Sequence, residues 1–261
     1  FQRFNLKHFK ELNSQKISID GNFDDEIKIP ILNYNSKNQV INFNTVLEIK
    51  KNKINVKKLS FLQGKNKISI KNLHLDNENL VKFENITVKT LKKNNINNDF
   101  QISYGKSITI KGQSYDASNL TKLLNQEGNS NFLKNINKEI SININKISNN
   151  DLDTLSNFNL IGFIEKGKFN KIISKGEFED GKYLDISLRA DKASNKKILE
   201  VYSDLPKPLL SNYKFFDGLS GGQLLIFSSY DDKNSSTNLS IENFKVKDAP
   251  GLVKLLSLAD F

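Results

Sequence analysis

Glu139-Ile140-Ser141-Ile142-Asn143-Ile144-Asn145 alternates apolar and polar side chains one for one. Successive side chains of an extended chain point to opposite faces, so this period of two predicts a strand with one dry face and one wet face. Working outward, the same pattern returns on both sides. Upstream it runs through Ile17/Ile19, Ile27/Ile29/Ile31, Ile41/Phe43/Leu47/Ile49, Ile54/Val56, Ile68/Ile70, Val81/Phe83, Ile86/Val88, Phe100/Ile102 and Ile108/Ile110. Downstream it continues through Phe158/Leu160, Leu184/Ile186/Leu188, Leu199/Val201, the run 224–227, Leu239/Ile241 and Phe244/Val246. Alternation rich in β-branched and aromatic residues, broken at short intervals by turn residues, predicts a mainly β fold with an antiparallel sheet.

The alternation slips in places. Ile54/Val56 gives way to Leu59/Phe61, and Ile68/Ile70 to Leu73/Leu75. A slip of one residue turns later side chains to the other face unless a bulge absorbs it, so bulges or tight turns that curl the sheet are expected here. Asp180-Gly181 predicts a hairpin turn between Phe178 and Leu184, and Gly221-Gly222 a second one within Gly218-Leu219-Ser220-Gly221-Gly222. Leu6, Phe9 and Leu12 share one helical face, which predicts a short helix over Phe4–Leu12. Two prolines in Leu205-Pro206-Lys207-Pro208-Leu209-Leu210 limit any helix there to a short turn.

One motif occurs twice. Asp116-Ala117-Ser118-Asn119-Leu120-Thr121-Lys122-Leu123-Leu124 reappears as Asp248-Ala249-Pro250-Gly251-Leu252-Val253-Lys254-Leu255-Leu256. Each copy follows alternating strands and opens on a capping Asp, which predicts short amphipathic helices near 117–125 and 249–260. The chain therefore divides into two β-rich repeats, 1–131 and 132–261, within one continuous sheet. The polar stretch Asn125–Lys138 reads as the linker. Repetition of this kind suits an elongated wall better than a single pocket.

Composition agrees. The 261 residues suffice for one large domain or two moderate repeats. Their 37% hydrophobic content lies below the ~45–50% of an ordinary globule, as expected when one sheet face stays in water. The net charge of +10 raises nucleic acid or an anionic surface as a partner. The lysines are scattered, as in Lys50-Lys51, Lys57-Lys58 and Lys92-Lys93, without an arginine-rich arm, so a solvated face explains them better. Asn, Lys and Ile are also abundant, and a codon bias toward A and T is one explanation for the Asn and Lys. With no Cys there is neither a disulfide nor a thiolate metal site, and with no Met the first residue is not a translation start. An excised piece of a longer chain is expected, with any membrane anchor outside it.

Chemistry has no visible home. His8 and His74 lack metal-ligand partners at usable spacing, and Asp24-Asp25 and Asp231-Asp232 sit in turn-like contexts. No nucleophile elbow, phosphate loop or dinucleotide fingerprint is present. The expectation is a non-enzyme without cofactor or metal.

The closing stretch Leu239-Ser-Ile-Glu-Asn-Phe244-Lys-Val-Lys-Asp248-Ala-Pro250-Gly-Leu252-Val-Lys-Leu255-Leu256-Ser-Leu-Ala resembles a passage of the AsmA-like family, of the YhdP/TamB type. Tyr213–Leu224 is similar to the loop before that passage, and Phe4–Phe23 to the family's short helix and following strand. The resemblance implies a bridge-like lipid transfer protein of the Gram-negative envelope, held to the inner membrane and extending through the periplasm as a curled sheet. Its hydrophobic groove would pass phospholipid acyl chains between inner and outer membranes, with no nucleic acid involved. The expected lining is Ile17, Ile19, Ile41, Phe43, Leu47, Ile49, Phe100, Ile102, Ile140, Ile142, Ile144, Ile186, Leu188, Leu199 and Val201. Leu120, Leu123, Leu124, Leu252, Leu255 and Leu256 are expected to plug or brace it. The rival expectation is a structural β-repeat spacer, adhesin-like and without cargo, whose apolar face is sealed by a second layer.

Overall fold

Almost every alternating segment finds its hydrogen-bond partner in the segment beside it in sequence. The computed structural model describes residues 3–36, 39–120, 133–149, 154–210 and 218–246. β1 (Arg3–Lys10) and β2 (Gln15–Phe23) form the first hairpin, while β3 (Lys28–Ile29) and β4 (Tyr34–Asn35) pair only with each other. Then come β5 (Ile41–Lys50), β6 (Lys53–Gln63), β7 (Asn66–Asp76), β8 (Asn79–Lys82), β9 (Asn85–Lys92), β10 (Asn95–Tyr104) and β11 (Ile108–Asp116). The second half holds β12 (Lys138–Ser148), β13 (Leu155–Glu165), β14 (Lys168–Glu177), β15 (Tyr183–Asp191), β16 (Lys196–Ser203), β17 (Leu219–Tyr230) and β18 (Ser235–Val246). All except β3 and β4 join one 16-stranded sheet in chain order, with β8 off the main path on β7. Among the described residues, β11 with β12 is the one parallel pairing; the rest are antiparallel.

Local chemistry sets these connections. Asn77-Glu78, Lys93-Asn94 and Lys166-Gly167 each place two successive residues at positive φ between paired strands. That backbone matches the twist of the strands it joins, which is why two-residue hairpins use it. Glu179–Gly181 forms the connection expected from Asp180-Gly181, with Gly181 at φ 73°.

The phase slips are bulges. On β6, Lys57 has no partner on β5, and the register shifts between Val46 and Leu47. Asn72, on β7 beside it, sits at φ 48°. Gln113 on β11 is skipped in the pairing with β10 and Asn145 in that with β12, and their side chains bond at 2.7 Å. Asn157 on β13, at φ 52°, continues that line. Each kink lets the strand resume with its apolar residues on the original face. Asn is the residue that bears left-handed backbone best after Gly, and it supplies seven of the eleven non-Gly positive-φ positions described. Part of the Asn excess is therefore structural.

Three expectations are corrected. Phe4–Leu12 is not a helix: β1 occupies 3–10, and pairing with β2 puts Leu6 opposite Ile19 and His8 opposite Ile17. The spacing fitted both periods, and the available sheet edge decided between them. Gly221-Gly222 is not a turn but an irregularity inside β17: Gly221 pairs with Phe244, and Gly222 is skipped opposite Asn243 of β18, with φ 67°, 93° and 55° at Gly221, Gly222 and Asn243. Ile27/Ile29/Ile31 does not join the large sheet: only Lys28–Ile29 is a strand, paired with Tyr34–Asn35, because Pro30 opens a 3-10 turn over Pro30–Leu32. Among the described residues helix is almost absent: apart from Leu120, which is helical, they hold α1 (Lys207–Leu210), the short turn the prolines allow. The expected helix near 117–125 lies outside the described residues beyond Leu120, and that near 249–260 lies wholly outside them, with Leu123, Leu124, Leu252, Leu255 and Leu256, as does most of the linker.

Candidate apolar binding face

Strand register shows which side chains share a face. Directly opposed residues project to the same side, so the pairings trace a row across fifteen strands. It runs Leu6, Ile19, Thr45, Leu59, Ile70, Ile86, Ile102, Ile110, Ile142, Leu160, Ser174, Ile186, Val201, Ile226 and Leu239. Only Thr45 and Ser174 interrupt the aliphatic run. Alternate positions on each strand widen the row into a face.

All fifteen predicted lining residues lie on this face. Register places Ile17 against Leu47 and Ile140 against Ile108, while Leu188 stands against Leu199. They differ in exposure. Ile41, Phe100, Ile140, Ile144 and Leu188 are buried, whereas Ile17, Ile19, Phe43, Leu47, Ile49, Ile102, Ile142, Ile186, Leu199 and Val201 are half-buried. Leu120 is half-buried just past the turn that follows β11, where its N–H donates to the Ala117 carbonyl. The prediction missed Leu59, Ile70, Ile86, Ile110, Leu160, Ile226 and the exposed ends Leu6 and Leu239. Their alternation was visible, but which face each occupied depended on bulges that only register reveals.

Short segments fold onto the middle of the face. Leu32 and Tyr34, from the β3–β4 hairpin, pack with Val88, Phe100 and Ile144. Ile136, 2% exposed, packs with Leu80, Phe83, Ile108, Ile140 and Leu160. Leu205 and Leu209, before and within α1, pack on Leu155, Phe178 and Leu184. Among the described residues, no residue of β1, β2 or β18 belongs to these clusters.

A buried polar network holds the hairpin in place. Asn98, fully buried, donates to the Leu32 carbonyl at 2.7 Å and to Thr90 Oγ1 at 2.8 Å. Its Oδ1 accepts the Asp116 N–H. The Asp116 carboxylate in turn accepts Asn33 Nδ2 at 2.8 Å, Asn97 Nδ2 at 3.2 Å and the Ser118 N–H at 3.1 Å, with the Ser118 hydroxyl also bonded to it. Lys92 Nζ lies 3.6 Å away. Burial works against the Asp116 charge, but the Ser118, Asn33 and Asn97 bonds outweigh it and hold the carboxyl below its usual value. Tyr34 donates to Gln63 Oε1 at 2.6 Å, and burial pushes its phenol up to about 12.

The opposite face is different in kind. Lys57, Lys58 and Lys71 are exposed there, and Lys57 lies 3.2 Å from Glu48. Toward β13–β17 this side also becomes apolar. Ile161, Ile173, Leu225 and Phe227 rim an open cleft of about 740 Å³ whose lining includes Asp185, Ser187, Glu200 and Tyr202. The sequence signal was present in the unbroken pairs Leu160-Ile161, Ile172-Ile173 and the run 224–227, which must be greasy on both faces.

No protein-family model, no curated protein and no solved structure matches this chain. Function is therefore argued from the faces themselves. Among the described residues no cluster of His, Asp or Glu is arranged to hold a metal ion, and no helix is long and apolar enough to cross a membrane. His74 lies opposite Asn55, and burial together with Lys82 and Lys57 keeps its imidazole below its usual value. His8 stands on the exposed edge strand β1.

Proposed function

We propose that the apolar face is the wall of a non-enzymatic lipid conduit, curled into a groove by its lines of bulges and occupied by phospholipid acyl chains. The observation that carries this reading is the fifteen-strand row, polar only at Thr45 and Ser174. Each methylene moved from water onto such a wall gains ~0.8 kcal/mol. A wall of repeated Ile and Leu holds no fixed polar anchor, so a chain slides along it between similar positions. The setting proposed is the Gram-negative periplasm, between inner and outer membranes, as the likeness of Leu239–Ala259 to AsmA-like proteins suggests.

The test is gentle purification followed by lipid extraction and mass spectrometry. Phospholipid should co-purify with the native protein. Ile186→Asp, which sets a charge in the half-buried stretch, should lower that load while circular dichroism retains the sheet.

A second reading has one observation in its favour. Leu32, Tyr34 and Ile136 cover the middle of the face, as they would in a closed core. On that reading the protein is a structural spacer without cargo, and the extract contains no lipid.

A further inference from the structure

The β3–β4 hairpin is attached to the sheet in an unusual manner. Its strands pair only with each other, and its register contains no partner from the large sheet. Side chains of β10, β11 and the turn after β11 hold it instead. Asn98 donates to the Leu32 carbonyl, Tyr115 OH donates to the Ile31 carbonyl at 3.1 Å, and Asn119 Nδ2 donates to the Pro30 carbonyl at 3.2 Å. Beneath these bonds, Leu32 and Tyr34 are 7% and 5% exposed and rest on Val88, Phe100 and Ile144. The hairpin thus puts two apolar side chains where the row would otherwise be open.

We infer that the hairpin Ile27–Ser36 is a displaceable occupant of the face, and that Val88, Phe100 and Ile144 beneath it form a latent site for one hydrocarbon chain. This rests on the lipid-carrying role proposed above. A hydrocarbon replaces Leu32 and Tyr34 like for like, since both bury apolar area against the same floor. Moving the hairpin breaks no sheet ladder, but it does break side-chain bonds, those to the buried Asn98 and Asp116 among them, so the incoming hydrocarbon has to offset their loss as well as replace the apolar packing. The hairpin is then one of the covers that separate the half-exposed stretches on β1, β2 and β5 from those on β16–β18, the others being the segments that carry Ile136 and Leu205 with Leu209.

The probe is cis-parinaric acid, an alkyl chain that fluoresces in apolar surroundings, titrated into the whole chain and into Leu32→Ser/Tyr34→Ser. The variant should bind more probe per chain than the native protein. Hydrogen exchange on the native protein supplies a measurement that needs no mutation. The Asn33 and Ser36 amides, bonded to the Pro30 and Ile27 carbonyls, should exchange faster by about tenfold at saturating probe, equivalent to ~1.4 kcal/mol of lost closure. Amides of β12 should stay protected. Binding by the native protein with no gain in the variant and unchanged hairpin exchange would overturn the inference and leave the conduit standing. No binding to either form would overturn both. Should the variant unfold, hydrogen exchange alone decides.

Discussion

Asp116 shows what one residue does here. It ends β11, is 3% exposed, and joins the hairpin, β10 and the following turn through one carboxylate. Asp116→Ala would leave the Asn33, Asn97 and Ser118 donors without their acceptor, so a loss of ~2–3 kcal/mol is expected from urea denaturation near neutral pH. The sign of the pH dependence follows from the lowered carboxyl value. The contribution is fully present above the unfolded value of ~3.9 and is lost as pH falls through the folded one. A urea midpoint in the native protein that does not fall more steeply on acidification than in Asp116→Ala would contradict this assignment. The sequence singled out Asp116 as a cap, and its carboxylate does accept the Ser118 N–H two residues on. Its bond to Asn33 spans 83 positions, and nothing local to either residue announces it.

At the scale of elements, the strands were legible because a period of two is a strong signal over ten residues. β5 through β7 and β9 through β12 follow the alternation closely. Bulges were legible as slips, though not the residues that make them. Asn72 gives a direct check. At φ 48°, a β-branched side chain is strained and glycine is not. Asn72→Val should cost ~1–2 kcal/mol, whereas Asn72→Gly should leave the thermal midpoint near that of the native protein despite losing an exposed bond to Glu84. Equal effects of the two would show that the kink is not what the backbone requires there. Gly222 is less forgiving: at φ 93°, an added Cβ would stand 2.9 Å from Phe244 Cβ. β1 was misread as a helix because eight residues carry too few repeats to separate the two periods, and its place at the sheet edge is a tertiary matter.

Among the described residues, the large sheet runs from β1 at one edge to β18 at the other. If the apolar face carries lipid in two stretches flanking the hairpin, Ile19→Asp and Ile186→Asp should each remove about half of the bound phospholipid, and the pair nearly all of it, because an unpaired buried charge is strongly disfavoured. Lipid mass spectrometry on the three variants reads this directly. An undiminished load in the double variant would place the lipid elsewhere. The net charge of +10 lies outside this argument, since exposed lysines such as Lys58 and Lys71 stand on the other face. Sequence revealed both the greasy and the basic character of the chain, while register was needed to assign them to opposite sides.

The parallel seam between β11 and β12 also governs assembly. Most other neighbouring strands meet through a short local turn and can zip as soon as they are made, but this junction awaits residues 117–137. The two halves should therefore form first and dock last. A chain severed within that connection should yield two pieces that recombine into the native ribbon along a single edge.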